Sequence, residues 1–216
     1  MHSCVSKAYF KSSGQIGEPD ELVNWRREVR QEFRRSCQLR YRSIFQDAFD
    51  ASQSSPLDEV KSGKHHILFD CGIEAGQFQS RIDAVEKVTS LSRIKYRGCV
   101  PVRFVPNEKL SRHDKLLLTF DAYTLSLALG TTPTIRKIMH GMDQRTVTIR
   151  LAPLISVVRL IAEKICTQTT SPEPPQLVLN KHGIECEFKA RCRAPAEEKD
   201  FLLTLLHEGR PFESGV

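Results

Sequence analysis

Gln77-Phe78-Gln79-Ser80-Arg81-Ile82-Asp83-Ala84-Val85-Glu86-Lys87 is the stretch on which the fold turns. Its residues alternate. Phe78, Ser80, Ile82 and Ala84 fall on one face, and Gln79, Arg81, Asp83, Val85 and Lys87 on the other, the period-two signature of a strand. An aspartate within such a run goes against strand propensity, which marks Asp83 for a role. Glu86, three residues on, turns to the opposite face of an unbent strand, whereas Lys87 shares the face of Asp83.

Outward from this strand, Ile67-Leu68-Phe69 reads as an apolar strand and residues 72–76 as a turn. On the other side, residues 99–105 form a third strand, whose Pro101 calls for an edge, a bulge or a strand start. Ser111-Arg112-His113-Asp114 then matches a capping box, hydroxyl and carboxylate three residues apart. The helix behind it carries Leu116, Leu117, Leu118, Phe120, Leu125, Leu127 and Leu129, so it is apolar nearly all round and must be covered on several sides. Gly130 is placed to cap it, with Pro133 just beyond. Residues 134–140 and 145–151 read as a hairpin around 141–144. A last long helix starts at Pro153, and a polar, proline-containing linker follows over 167–176.

Toward the N-terminus a long helix starts at Pro19-Asp20-Glu21, with acids in its first turn as the helix dipole prefers. Leu22, Trp25, Val29, Phe33 and Cys37 recur at spacings of three and four, predicting one buried stripe. Arg26, Arg30 and Arg34 fall on a neighbouring, outward stripe. The pattern runs on to Phe49, and residues 53–64 read as a linker or surface loop. The order helix, three strands, buried helix, hairpin, helix, cysteine-bearing tail predicts an α/β domain whose mixed central sheet is flanked by helices. It is expected over 1–205, with a helical part at 1–52, a sheet core at 64–166, a tail at 177–205, and disorder at 206–216.

The 216 residues carry a formal charge of +6, and between Trp25 and Arg42 stand seven arginines against two glutamates. Arginine suits bidentate phosphate contact, and a basic helix is the usual footprint of nucleic-acid binding; a solvated helix face is the plain alternative. No apolar stretch is long enough to span a bilayer, and the N-terminus lacks a charged-then-apolar leader, so a cytoplasmic location away from membranes is expected. Seven cysteines exclude a fully paired disulfide framework within one chain. Cys37, Cys71, Cys99 and Cys166 fall on predicted element faces and are expected to be buried.

The tail reads Leu179-Asn180-Lys181-His182-Gly183-Ile184-Glu185-Cys186-Glu187-Phe188-Lys189-Ala190-Arg191-Cys192, and the opposite end Cys4-Val5-Ser6-Lys7-Ala8-Tyr9-Phe10. Together with the strand around Asp83 and the helix over 116–130, this resembles the RecB-like nucleases related to the CRISPR adaptation exonucleases, across roughly residues 4–203. The resemblance implies a restriction-endonuclease-like, PD-(D/E)XK fold. In that family one N-terminal cysteine and three C-terminal cysteines hold an iron–sulfur cluster that pins the two ends of the domain together. Here Cys4, Cys186 and Cys192 occupy ligand positions while the fourth is Gly183, which has no side chain. His182 or an outside ligand would have to complete the site, since such clusters are normally held by four thiolates; weak zinc binding with His182 and plain burial are the alternatives.

The resemblance also implies phosphodiester cleavage with magnesium or manganese, the carboxylates placing the metal and a lysine orienting the attacking water. Asp83 matches the family aspartate. The next strand should carry a carboxylate and a lysine, but those positions hold Arg103 and Val105, neither of which can serve. Asp70 and Glu74 could supply a displaced second carboxylate, and Lys87 the missing lysine. An ion pair between Asp83 and Arg81 or Lys87 is the structural alternative. The reading is a metal-dependent DNA nuclease or its catalytically weakened derivative, acting on single strands or ends, with Arg26, Arg30, Arg34 and Arg81 on the nucleic acid. A partner would supply helicase or further nuclease domains. The alternative is a non-catalytic nucleic-acid-binding or partner-docking module that retains the fold.

Overall fold

The structure is a computed structural model that describes residues 5–52, 55–88, 98–133, 135–150, 154–170, 175 and 186–193. The chain divides into two compact units, one over Arg27–Glu163 and the other joining His2–Arg26 to Lys164–Val216.

The first unit is a mixed sheet flanked by helices. Its described strands are β1 (Phe49–Asp50), β2 (Ile67–Ala75), β3 (Phe78–Val88), β4 (Gly98–Val105), β5 (Ile135–His140) and β6 (Arg145–Arg150), and they lie side by side in that order. Strands β2, β3 and β4 form an antiparallel meander, β5 lies parallel to β4, and β6 returns antiparallel. The parallel β4–β5 step needs a crossover, and helix α4 (Arg112–Leu129) supplies it. The first two described helices in chain order are α1 (Val5–Ser12) and α2 (Glu21–Ile44); α3 (Pro56–Ser62) precedes β2, and α5 (Ile155–Thr169) follows β6.

The predicted capping box is formed. Ser111 Oγ accepts from the Asp114 amide, and the Asp114 carboxylate accepts from the Ser111 amide at 2.9 Å. Gly130 closes α4 in the left-handed conformation, at φ 68°. The hairpin turn also falls where expected, with Gly141 at φ 71°.

Other boundaries moved. Strand β2 runs through Gly72 as far as Ala75, so the turn is shorter than the glycines implied. Helix α2 stops at Ile44, and Phe49-Asp50 pairs parallel with Leu68-Phe69 instead of continuing the helix. Within the expected loop a seven-residue helix forms, α3, with Pro56 in its first turn and Gly63 left-handed beyond its end. Pro101 sits inside the sheet, but the parallel pairing with β5 begins only at Val102.

Each face of the sheet has its own core. Phe33, Cys37 and Tyr41 of α2 pack on Ile67, Phe69, Ala84, Val102, Phe104 and Met139. On the opposite face Leu125 of α4 and Val60 of α3 pack on Leu68, Cys71, Ile73, Ile82 and Val85. The α2 stripe is buried only from Phe33 onward. Trp25 remains 57 % exposed, and Leu22 and Val29 are exposed with it. Periodicity predicted one continuous stripe, but burial needs an opposing surface, and among the described sheet residues that surface is met only by Phe33, Cys37 and Tyr41.

The second unit contains α1, the start of α2, the end of α5, and the described tail residues 186–193. The Glu18 amide donates to the Glu187 carbonyl, and Phe10 packs on Phe188 with ring centroids 5.2 Å apart. Gly17 is required here, because a Cβ would lie 2.9 Å from the Glu187 carbonyl oxygen. No described helix is long and apolar enough to cross a membrane.

Candidate functional site

Strand alternation breaks at Asp83, and this break builds the site. Ser80 and Ile82 project toward α4, Asp83 and Ala84 both project toward α2, and Val85 returns to the α4 side. The matching irregularity on β2 is Asp70, whose φ is 56°, an uncommon conformation for a non-glycine residue. Asp70 lies between Phe69, paired with Ala84, and Cys71, paired with Ile82, so the two aspartates occupy facing positions on adjacent strands. Both carboxylates lie under α2.

Arg34 of α2 reaches both. Its Nη2 is 2.8 Å from Asp70 Oδ1 and 2.9 Å from Asp83 Oδ1. The remaining acceptors are also engaged. Arg81 Nη2 donates to Asp70 Oδ1 at 3.1 Å, Gln38 Nε2 to Asp70 Oδ2 at 2.9 Å, and the Phe104 amide to Asp83 Oδ2 at 2.8 Å. Asp83 thus takes an amide bond from β4 just beyond the last paired residues, Ala84 and Val102. Three of the four carboxylate oxygens accept hydrogen bonds, Asp83 Oδ1 meets Arg34 as an ion pair only, and two arginines balance two aspartates.

This arrangement does not fit a divalent cation. A magnesium or manganese site needs carboxylate oxygens turned to the ion and a surplus of negative charge. Here the surplus is cancelled by Arg34 and Arg81. Among the described residues, no group of three or more His, Cys, Asp or Glu side chains is placed to hold a metal ion. Glu74 does not join the aspartates; it accepts from Gln79 at 2.7 Å across the exposed hairpin end.

Two further expectations are corrected by the same break. Lys87 does not share the face of Asp83. Its ammonium donates to the Gly63 carbonyl at the end of α3, on the other side of the sheet. Glu86, expected on the far face, lies on the α2 side, where Lys137 Nζ reaches its two oxygens at 2.7 and 2.8 Å. One extra residue on a face inverts the parity of everything downstream, so a strict period of two assigned both side chains to the wrong side.

Arg103 points away from the site as well. On the α4 face it forms a two-pronged pair with Asp121, Nε to Oδ2 at 3.0 Å and Nη2 to Oδ1 at 3.1 Å, while Ser80 Oγ donates to Oδ1 at 2.5 Å. Burial pushes the Asp121 carboxyl up, against the pull of Arg103 and Ser80. Burial also works to deprotonate Arg103, but the Asp121 and Asp83 carboxylates outweigh it and raise its pKa. Sequence reading missed this pair, although Asp121 within an otherwise apolar helix was the signal.

The basic helix is partly structural. Arg34 is committed to the aspartates, Arg40 Nη1 donates to the Asp143 and Gln144 carbonyls at 3.0 Å, and Arg42 sits 5.1 Å over the Phe69 ring. This overturns the outward stripe at Arg34. Arg27, Arg30 and Arg35 are exposed, Arg26 is half-buried, and Arg81 is exposed while bonded to Asp70.

In the second unit, Cys4, His182 and Gly183 lie outside the described residues. Cys186 and Cys192 bracket a helical turn, both half-buried thiols. Cys4, Cys186 and Cys192 would leave the fourth position of a cluster to His182 or an outside ligand. Beside the Phe10–Phe188 packing, several of the described contacts here are ionic. Glu187 meets Lys7 at 3.3 Å and Lys11 at 3.0 Å, and Lys189 pairs with Asp20, whose other oxygen caps α2 through the Val23 amide. Burial works to raise the Glu187 carboxyl, but Lys11 and Lys7 dominate and hold it at about 2. Burial pushes the Cys37 and Cys71 thiols up to about 12, leaving them unreactive.

No protein-family model matches this chain, and no curated protein matches it.

Proposed function

We propose that this chain is a nucleic-acid-holding module that keeps a RecB-like, PD-(D/E)XK nuclease fold without its metal chemistry. The observation that carries the reading is the Arg34 guanidinium seated between Asp70 and Asp83. A cation built into the chain stands where hydrolysis would need a metal ion, and the positions expected to hold the second carboxylate and the lysine are Arg103 and Val105. The fold part of the reading is supported by the helix, three-strand meander, crossover helix and parallel strand, with Asp83 on the middle strand of the meander. The binding part is supported by the exposed Arg27, Arg30 and Arg35 along one helix and the net charge of +6.

Incubation with single-stranded DNA and manganese tests it, wild type beside Asp83→Ala. Both proteins should retain the DNA and neither should degrade it. Degradation by the wild type that disappears in Asp83→Ala would restore the hydrolase reading. Replacing Arg27, Arg30 and Arg35 with glutamine should weaken binding and lower the salt slope, by about 0.7 for each single-strand phosphate no longer neutralised. Unchanged binding and salt slope in that variant would remove this helix from the DNA path, and failure of the wild type to retain DNA would leave protein docking as the use of the fold.

A further inference from the structure

Arg136, the second residue of β5, is the bulkiest of the fully buried side chains among the described residues, with 0 % of its surface exposed. It projects to the α4 side, where Nη1 donates to Thr119 Oγ1 at 2.7 Å. The Thr119 hydroxyl spends its own proton on the Lys115 carbonyl at 2.6 Å, so it serves Arg136 as an acceptor. The other two nitrogens, Nε and Nη2, are buried and meet no acceptor among the described residues. They form one edge of the guanidinium, the edge that ordinarily grips an anion with two parallel bonds.

The nearest comparison is on the adjacent strand. Arg103 is on the same face, and its charge is answered by Asp121, whose oxygens are taken up by Arg103 and Ser80. Arg136 has no carboxylate of its own among the described residues. Burial alone acts on it, drawing its pKa down to about 10, which still leaves it protonated at neutral pH. A buried cation without a counter-charge is among the least favourable states a side chain can hold, and its usual relief is an anion or loss of the proton.

We infer that Arg136 is the cationic half of an internal anion site, formed by its Nε and Nη2 edge, that takes a small inorganic monoanion such as chloride. Full burial selects the ligand's size. A nucleic-acid phosphate or a partner's side chain would have to bring its own chain with it, whereas a single ion enters through local opening. The site is therefore independent of the exposed arginines of α2 and of whether the chain holds DNA.

Thermal unfolding of the full chain in sodium chloride against sodium gluconate, at constant ionic strength, tests the inference. The wild type should unfold roughly 3–5 °C higher in chloride, rising with the logarithm of chloride concentration as a bound ligand requires. Arg136→Met should show no such difference, and in gluconate it should unfold above the wild type, because the unanswered charge is gone. A wild type indifferent to chloride, or an Arg136→Met protein with the same chloride response, would overturn the site. Should Arg136→Met fail to fold, chloride-35 line broadening by the wild type decides. Excess broadening that nitrate titrates away supports the site, and no excess, as when only water answers the guanidinium, refutes it.

Discussion

Two arginine–aspartate assemblies sit on opposite faces of the same sheet, and they differ in what surrounds them. On the α4 face, Asp121 is 1 % exposed and Arg103 grips it with two nitrogens. On the α2 face, Arg34 divides one nitrogen between Asp70 and Asp83, and Gln38, Arg81 and the Phe104 amide supply the rest. The first is a closed pair that packing alone explains. The second is an open network at a strand irregularity, where a backbone conformation uncommon outside glycine is held by surrounding donors. An aspartate in a strand is thus an ambiguous sign. It marks a place where the sheet departs from regularity, and a metal is only one way to answer its charge.

The contrast can be broken most forcefully at Asp121. Asp121→Leu should cost about 3–5 kcal/mol, because it leaves the largely buried Arg103 guanidinium without its counter-charge. Adding Arg103→Met should return most of that loss, since a buried pair replaced as a whole is close to neutral. Urea unfolding of the single and double variants measures both. A double variant no better than Asp121→Leu would mean that the pair does more than balance itself.

Arg34→Met should cost less, about 2–3 kcal/mol, because Asp70 and Asp83 keep Gln38, Arg81 and the Phe104 amide and are partly reached by water. The same variant sharpens the functional reading. Manganese should still not stabilise it, as Arg81 remains on Asp70. A manganese-dependent rise in unfolding temperature would show that Arg34 alone had kept a cation out.

Glu187 offers a third ion network for comparison, and its sign is set by its pKa. The folded carboxyl titrates at about 2 against an ordinary 4.5. Its contribution is complete above 4.5 and is lost as pH falls from there toward 2. The amount is on the order of 2 kcal/mol, discounted because Lys11 is half exposed. Stability of wild type and Glu187→Gln, measured between about pH 6 and 2.5, should converge in acid. Parallel curves would remove the clamp. Smallest of all, Lys87→Met should change stability by no more than about 1 kcal/mol and leave DNA retention untouched, since its ammonium caps α3 on the far side of the sheet. Loss of DNA binding in that variant would put Lys87 back beside the site.

Local signals were legible. The capping box at Ser111, the glycine after α4, the hairpin turn at Gly141 and the start of α2 at Asp20 each depend on a few neighbouring residues. Misreadings cluster where distant residues decide. Whether Trp25 is buried depends on what faces it, and whether Lys87 faces Asp83 depends on a slip in strand parity imposed by pairing with β2.

From the sequence by itself came the kind and order of most elements, β1 and α3 excepted, because hydrophobic period, caps and turns are properties of short stretches. Tertiary structure alone decided which cation answers which carboxylate, because Arg34, Asp70 and Asp83 become neighbours only when α2 lies across two strands that lose their alternation together. Charge is written in the chain, but the distance over which it acts is set by the fold.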